Sequence, residues 1–129
     1  MDTFWWLTAD GWDGELMLMF PDVMYVAASQ ARENRPEPGL VRRMGAVNEK
    51  MTLVEHRMEK GWAGAAHSHP HDQVVFVISG HVRFAANGET FELRPGDSLL
   101  VRGGVEHQAW ALEPSYVIDV FTPCREDYL

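Results

Sequence analysis

The chain has little of what several classes of protein require. Its single cysteine, Cys124, excludes an internal disulfide and suits a reducing compartment. Basic residues number 11 against 19 acidic ones, with no block of lysine or arginine, so the formal charge of −8 disfavours nucleic acid and anionic membrane surfaces as partners. No apolar run is long enough to span a bilayer, and the N-terminus lacks the features of a signal peptide. We therefore expect a cytoplasmic protein that acts on a small molecule.

The N-terminal third differs in composition from the rest of the chain. At 129 residues the chain is long enough for one core and short for two, yet aromatic residues crowd its beginning, at Phe4, Trp5, Trp6 and Trp12. These side chains either cap the mouth of the folded domain or lie in a subunit interface. Since exposed aromatic patches of this size are unusual on monomers, we predict a homodimer. The division expected is an aromatic-rich arm and linker over residues 1–40 and a folded domain over residues 41–129.

Within that arm the local patterns predict three elements. The segment Leu16–Phe20 is apolar without a clean period, which indicates a short helix or irregular chain. The segment VMYVAAS, residues 23–29, has the composition of an edge strand. The segment ARENRPEPGL, residues 31–40, contains two prolines and mixed charge and is typical of a solvated linker.

After Lys50, short alternating segments separated by turn residues predict an all-β fold. In MTLVEHRMEKG, charged Glu55 and Arg57 take one face, so His56 faces the interior with its apolar neighbours. Asn87-Gly88 predicts a type I′ hairpin turn. Further strands are expected in QVVFVIS, VRFAA, TFEL, SLLV, HQAWAL and YVIDVF. Strands of this length favour an antiparallel sandwich or barrel over βαβ units.

A metal site is indicated in the stretch GWAGAAHSHPHDQVVFVISG. His67 and His69 are two residues apart, so on a strand both imidazoles leave the same face, and Gln73 follows after a bend with an oxygen that can reach the same point. A further ligand appears at His107, after the glycine-rich turn in VRGGVEHQAW, where a neighbouring strand would bring it beside the first pair.

The spacing of these residues resembles the two sequence motifs of the cupins. The first motif is GX5HXHX3QX6G from Gly61 to Gly80, and the second begins at Gly96 and ends near His107. Three positions differ from the usual pattern, because Gln73 replaces glutamate, Arg102 replaces proline and Ala111 replaces the closing asparagine. The resemblance implies a single cupin jelly-roll barrel, an antiparallel β-sandwich, with a bound metal.

The ligand types narrow the chemistry of that metal. Neutral imidazole suits zinc, iron, nickel, copper and manganese, and an amide oxygen favours the harder of these, so we expect one divalent ion, zinc, iron, nickel or manganese. Without a carboxylate the ion keeps its full charge, which favours Lewis-acid chemistry and argues against an iron(II) oxygenase.

The end of the chain carries a second resemblance. Asp119, Phe121, Pro123 and Arg125 match the DxFxPxR ending of small cupins that carry HSHPHEQ, among them the pectin- and alginate-degradation cupins. In those enzymes, which convert unsaturated monouronates to linear keto forms, an aspartate is the acid/base and an arginine binds the sugar carboxylate. The resemblance assigns these roles to Asp119 and Arg125. Alternatively, Asp119 is an exposed strand residue that pairs with Arg125.

Other side chains have two interpretations each. His56 is a satisfied core histidine, a general acid/base or an additional ligand. His71 is a surface residue if the chain has bent at Pro70, and otherwise an additional ligand. Trp62, Phe76, Trp110 and Tyr116 are candidates for an aromatic cavity, which would suit a polyketide, whereas a sugar acid would need Arg125.

These features together predict a metal-dependent isomerase or cyclase. The catalytic residues would be Asp119, His56 and Arg125, acting in a redox-neutral isomerisation, ring opening or cyclisation of a small molecule. Two alternatives remain open, a cupin that binds a small ligand without turnover and a metal-dependent dioxygenase.

Overall fold

The computed structural model describes residues 20–129 and, before them, two short strands. The strands are β1 Leu7–Thr8, β2 Gly11–Trp12, β3 Arg32–Glu37, β4 Leu40–Val47, β5 Thr52–Met58, β6 Asp72–Ser79, β7 Val82–Ala86, β8 Glu89–Leu93, β9 Ser98–Val101, β10 His107–Ala111 and β11 Ser115–Thr122. Two 3₁₀ helices span Ala28–Gln30 and Glu126–Tyr128. No helix within these described parts of the chain is long and apolar enough to cross a membrane.

Antiparallel pairing joins the strands into sheets. A six-stranded sheet has the order β3-β4-β5-β11-β6-β9, a three-stranded sheet has the order β10-β7-β8, and β1 pairs with β2. Buried side chains of the two larger sheets meet in one core, with Met58, Val77 and Val117 from the first and Val82 and Phe84 from the second. The fold is therefore the predicted all-β jelly-roll sandwich.

Alternation along the strands is what orients the site. β5 has buried Val54, His56 and Met58 and more exposed Leu53 and Arg57, as its sequence predicts. The hairpin between β7 and β8 has φ of 53° at Asn87 and 73° at Gly88, which is the geometry of a type I′ turn.

The predictions for residues 23–40 were wrong. The segment 23–27 forms no strand, because strand-forming residues also need a neighbouring strand to pair with. Its Val23 and Tyr25 side chains are 86% and 87% exposed. The expected linker is instead β3, an edge strand that pairs with β4 and accommodates Pro36. The expected domain boundary at residue 41 thus falls within β4. The predictions for Leu16–Phe20 and for the aromatic side chains of residues 1–12 lie outside the described residues, apart from Phe20.

Candidate metal centre

The three predicted histidine ligands come together through one backbone contact. His67 and His107 form an antiparallel bridge, in which each N–H donates to the other's carbonyl oxygen at 3.0 and 2.9 Å. His69 follows, and its carbonyl accepts from Gly104 N–H at 2.8 Å. One side-chain nitrogen from each histidine lies within 4.8 Å of the others. The expected strand over His67–His69 is therefore only a single bridge, yet the convergence of the imidazoles is as predicted.

The glycine-rich turn before His107 is needed for this approach. A Cβ at Gly103 would lie 2.2 Å from the carbonyl oxygen of Pro70, so a larger residue would push the turn away from the histidine segment. The Gly103 N–H also donates to the Asp72 carboxylate at 2.7 Å. Both contacts hold the two cupin-like motifs against each other.

Backbone carbonyls determine the tautomer of all three imidazoles. The contacts are His67 Nδ1 to Ala65 O at 3.0 Å, His69 Nδ1 to His71 O at 3.0 Å, and His107 Nδ1 to Val105 O at 2.9 Å. Because a carbonyl oxygen only accepts, each Nδ1 carries a proton, so in the neutral form of each ring it is Nε2 that presents a lone pair. Burial lowers the pKa of His69 and of His107, and the positive charge of Arg125 acts in the same direction, so both rings favour the neutral form.

Gln73 completes a set of four acceptors. Its amide nitrogen donates to Asp119 Oδ1 at 2.8 Å, which turns its Oε1 toward His69 Nε2 at 3.0 Å. Oε1 and this Nε2 both present lone pairs, so they repel each other unless a cation lies between them. Three imidazole nitrogens and an amide oxygen with no proton among them are the donor set of a divalent ion. The residues therefore fit a metal.

A hydrogen-bonded chain of polar side chains leads away from these ligands. Asp119 Oδ2 accepts from His56 Nδ1 at 2.7 Å, and His56 Nε2 accepts from Arg42 Nε at 3.0 Å. Since arginine only donates, His56 Nε2 is unprotonated and its proton lies on Nδ1, facing the carboxylate. The predicted inward orientation of His56 and Asp119 is correct, with exposures of 8% and 3%.

Three of the four predicted ligands, His67, Gln73 and His107, line one cavity between the two sheets together with members of this chain. Its volume is about 320 Å³, and its lining includes His67, Gln73, His107, Asp119 and His56 beside apolar side chains of both sheets. This size and this mixture of an apolar wall with convergent polar groups are typical of small-molecule sites.

Comparison with known proteins agrees with this architecture. The sequence profile described as Cupin_2, the cupin domain, matches residues 54–121. The chain belongs to the cupin family. It is similar to KdgF from Halomonas sp., with 33% identity and a TM-score of 0.78 over 83% of this chain and 99% of that one. An RmlC-like cupin from Shewanella frigidimarina has 31% identity and a TM-score of 0.78, over 81% and 95% of the two chains.

A more distant structure shares the fold alone. Salicylate 1,2-dioxygenase from Pseudoaminobacter salicylatoxidans, in an adduct with gentisate, is 23% identical with a TM-score of 0.62, over 69% of this cupin and 26% of that chain. No functionally curated protein matches the sequence.

Arg125 lies in the cavity wall but has a partner. Its Nε and Nη2 donate to the two carboxylate oxygens of Asp127 at 2.8 and 2.9 Å. Burial by itself lowers the pKa of Arg125, but the hydrogen bonds to Asp127 and the neighbouring negative charges outweigh it and raise that pKa. Asp119 pairs with Gln73 and His56 instead, so the alternative of an exposed Asp119–Arg125 pair is wrong.

His71 is not a surface residue in this cupin. It is 2% exposed, and its Nε2 lies 3.0 Å from the Cys124 carbonyl oxygen and 3.2 Å from a Glu126 carboxylate oxygen. Its surroundings differ from the prediction because the C-terminal segment folds over it, a long-range contact that local sequence does not encode. It belongs to a group with Glu126 and Asp127, separate from the three ligand histidines.

The aromatic cavity is only partly as predicted. Trp62 lines it, but Phe76 is 43% exposed on the outer face of β6, and Trp110 and Tyr116 are not among the lining residues. Phe84, Phe121 and Tyr128 line it instead.

Sequence reasoning also missed Arg42 and Tyr128. Arg42 lies on β4 between buried Leu40 and Met44, and this two-residue alternation is a signal that would have placed its side chain inward. Tyr128 carries no such signal, because it follows the last strand.

Proposed function

We propose that this cupin is a metal-dependent enzyme that catalyses a redox-neutral isomerisation or ring opening of a small uronate-like sugar acid. The observation that carries the proposal is the position of Asp119 in the cavity wall, one hydrogen bond from the ligand Gln73. A buried carboxylate costs free energy unless it is paired, and here two neutral donors, Gln73 and His56, hold it without a cationic partner. The two hydrogen bonds therefore hold the carboxyl group in one orientation in the cavity wall.

His67, His69, Gln73 and His107 would hold the metal. When bound, a divalent ion on these four neutral ligands supplies a Lewis acid for a carbonyl or hydroxyl oxygen of the substrate. The ligand types favour zinc, iron, nickel or manganese as that ion.

The protein groups supply the proton transfer. Asp119 takes a proton from the substrate and returns it to another atom of the same molecule, so no atom is gained or lost and nothing is oxidised. His56 donates its Nδ1–H to Asp119 throughout, which keeps the carboxylate in one orientation and stabilises its charge. Apolar side chains, among them Val75 and Phe121, line the cavity around these groups.

Two further observations support a sugar acid as substrate. The DVFTPCR ending resembles that of the uronate-ketonising cupins, and the chain is 33% identical to KdgF from Halomonas sp.. A polyketide is less well supported, because three of the four aromatic residues expected for such a cavity do not line it.

The experiment is turnover of a 4,5-unsaturated monouronate followed by NMR with an oxygen electrode in the same cell. Asp119→Asn is expected to slow turnover by about 10²- to 10⁴-fold with the metal content unchanged. Asp97→Asn, in an exposed turn, is the matched control and should behave as the parent.

Three results would reject the proposal. Stoichiometric oxygen uptake during turnover would assign the protein to the dioxygenases. Full activity in Asp119→Asn would remove the carboxylate from the mechanism. Binding without turnover for a panel of uronates would assign it to the ligand-binding cupins. The cytoplasmic location stays a prediction.

A further inference from the structure

Arg42 occupies an unusual position in the cavity wall. It points inward from β4, donates from Nε to His56 at 3.0 Å, and its guanidinium carbon lies 3.6 Å from the centre of the Tyr128 ring. Stacking on an aromatic face and one hydrogen bond fix the plane of the guanidinium group. The group is thus rigid before any ligand arrives.

Arg125 approaches the same ring. Its guanidinium carbon lies 4.1 Å from the centre of Tyr128. Two guanidinium groups so close to one ring centre overlap unless they lie on opposite faces, so Tyr128 is sandwiched between Arg42 and Arg125. The C-terminal turn is held in the cavity wall by this sandwich, and by Arg32, whose Nη2 donates to the Tyr128 carbonyl at 2.9 Å.

The two arginines differ in their charge partners. Arg125 uses its Nε–Nη2 edge for a bidentate contact with Asp127, so its charge is compensated within the protein. The ion pairs made by other arginines in the described part of the chain are Arg35–Glu33, Arg43–Glu55 and Arg83–Glu92. Arg42 has no carboxylate within ion-pair distance among residues 20–129.

An uncompensated guanidinium in a cavity wall has a cost that a bound anion removes. Nε of Arg42 is used by His56, which leaves the N–H groups of both Nη atoms to donate. A pair of guanidinium N–H groups matches the two oxygens of a carboxylate. Asp119 is one imidazole away, so an anion at Arg42 lies near the proposed proton acceptor without touching it.

We infer that Arg42 binds the carboxylate of the substrate and that Arg125 holds the C-terminal turn. This inference rests on the proposed function for the identity of the substrate, but it concerns recognition and not turnover. The sequence resemblance assigns anion binding to Arg125, whereas this inference assigns it to Arg42, on the opposite face of Tyr128. Arg42 is then the residue that determines specificity for an acid over a neutral sugar.

Binding of D-galacturonate and of D-galactose, which differ in the carboxylate, tests the assignment. The parent and the Arg42→Gln, Arg42→Lys, Arg57→Gln and Arg125→Gln variants are titrated with each sugar by NMR. Glutamine at position 42 can still donate to His56, so loss of charge is separated from loss of that hydrogen bond. Arg57 is the matched control, because it also stacks on a tyrosine, Tyr116 at 3.9 Å, but is exposed outside the cavity.

The expected result is a parent that prefers galacturonate and an Arg42→Gln variant that binds galacturonate about 10- to 100-fold more weakly, the range for a charged hydrogen-bond partner. Arg42→Lys should keep part of the preference, galactose binding should be equal in parent and Arg42→Gln, and Arg57→Gln should match the parent. Thermal unfolding of Arg42→Gln establishes that the variant is folded.

Either of two results would overturn the inference. One is a parent without preference for the acid. The other is a preference that Arg42→Gln keeps and Arg125→Gln loses. Binding is measured without turnover, so the two proposals can fail separately. If the parent is inactive but Arg42→Gln loses galacturonate binding, the proposed reaction is rejected and the carboxylate-binding role of Arg42 is kept. If the parent is active and Arg42→Gln leaves the KM for the uronate unchanged, the reaction is kept and the role of Arg42 is rejected.

Discussion

Gln73 makes two contacts that no carboxylate at its position could make together. Its amide nitrogen donates to Asp119 at 2.8 Å while its oxygen lies 3.0 Å from His69 Nε2. A glutamate, which is usual in this motif, accepts at both ends when ionised and would oppose the charge of Asp119. The glutamine therefore links the proposed metal ligands to the proposed base, and an ionised glutamate could not form this link.

Replacing this amide by a carboxylate separates metal binding from catalysis. In Gln73→Glu, the metal should be retained or held more tightly, because a negative ligand is added. Turnover should fall by about 10²-fold or more, since Asp119 loses a donor and gains a like charge beside it. Metal content by mass spectrometry and kcat on the uronate measure the two effects, with the exposed Gln30→Glu as control. An equally active Gln73→Glu enzyme would show that the link is not needed.

The assignment of the ligands predicts the metal content of a double variant. His67→Ala/His107→Ala removes two of the four acceptors and should abolish stoichiometric metal after dialysis. His81→Ala is the matched histidine control, because His81 pairs with Glu92 at 2.7 Å and takes no part in the cluster. Parent-like metal in the double variant would show that the ion, if present, binds elsewhere.

Cys124 predicts a loss of stability at alkaline pH. The thiol is fully buried, and burial raises its pKa from 9.0 to about 11. Between pH 9 and pH 11 the thiol ionises in the unfolded chain but stays neutral in the folded one. The stability that the neutral buried thiol contributes is therefore complete below pH 9 and is lost as the pH rises toward 11. The difference between the two pKa values corresponds to a loss of about 3 kcal/mol in the free energy of unfolding.

Urea unfolding of the parent and of Cys124→Ala between pH 8 and pH 11 measures this effect. The free energy of unfolding should fall more steeply in the parent than in Cys124→Ala. The comparison is needed because burial also raises the pKa of Tyr128, which gives both proteins some dependence of the same sign. Parallel curves would contradict the prediction.

The homodimer stays a prediction and now has a candidate surface. Leu53, Val120, Val74 and Leu100 are paired across β5, β11, β6 and β9 and form one apolar row on the outer face of the large sheet. Leu53 and Val74 are each 37% exposed and Leu100 is 63% exposed, and such surface costs roughly 25 cal/mol per Å² in water.

Sedimentation of the parent, of Leu100→Glu and of a chain lacking residues 1–12 tests this prediction. A dimer is expected for the parent at micromolar concentrations, with weaker association in one or both variants. A parent that sediments as a monomer would reject it.

Local sequence was sufficient for most of the strands and for the convergence of three histidines. Period-two alternation in β5 and β11 depends only on the polarity of successive residues, and the Asn87-Gly88 turn depends on the positive φ that these residues tolerate. The grouping of His67, His69 and His107 could be predicted because their spacing resembles that of a known family. Gln73 was included for the same reason, but its contact with Asp119 was not foreseen.

The remaining part of the site depended on tertiary structure. The order β5-β11-β6 puts Asp119 between His56 and Gln73, and strand order is set by pairing between segments far apart in the chain. β3 formed because β4 offered it an edge, although its own composition favours a linker. The burial of His71 and the sandwich of Tyr128 between Arg42 and Arg125 arise only when the last residues fold against the sheet. Such contacts join residues whose local patterns are independent of one another, so only the folded chain determines them.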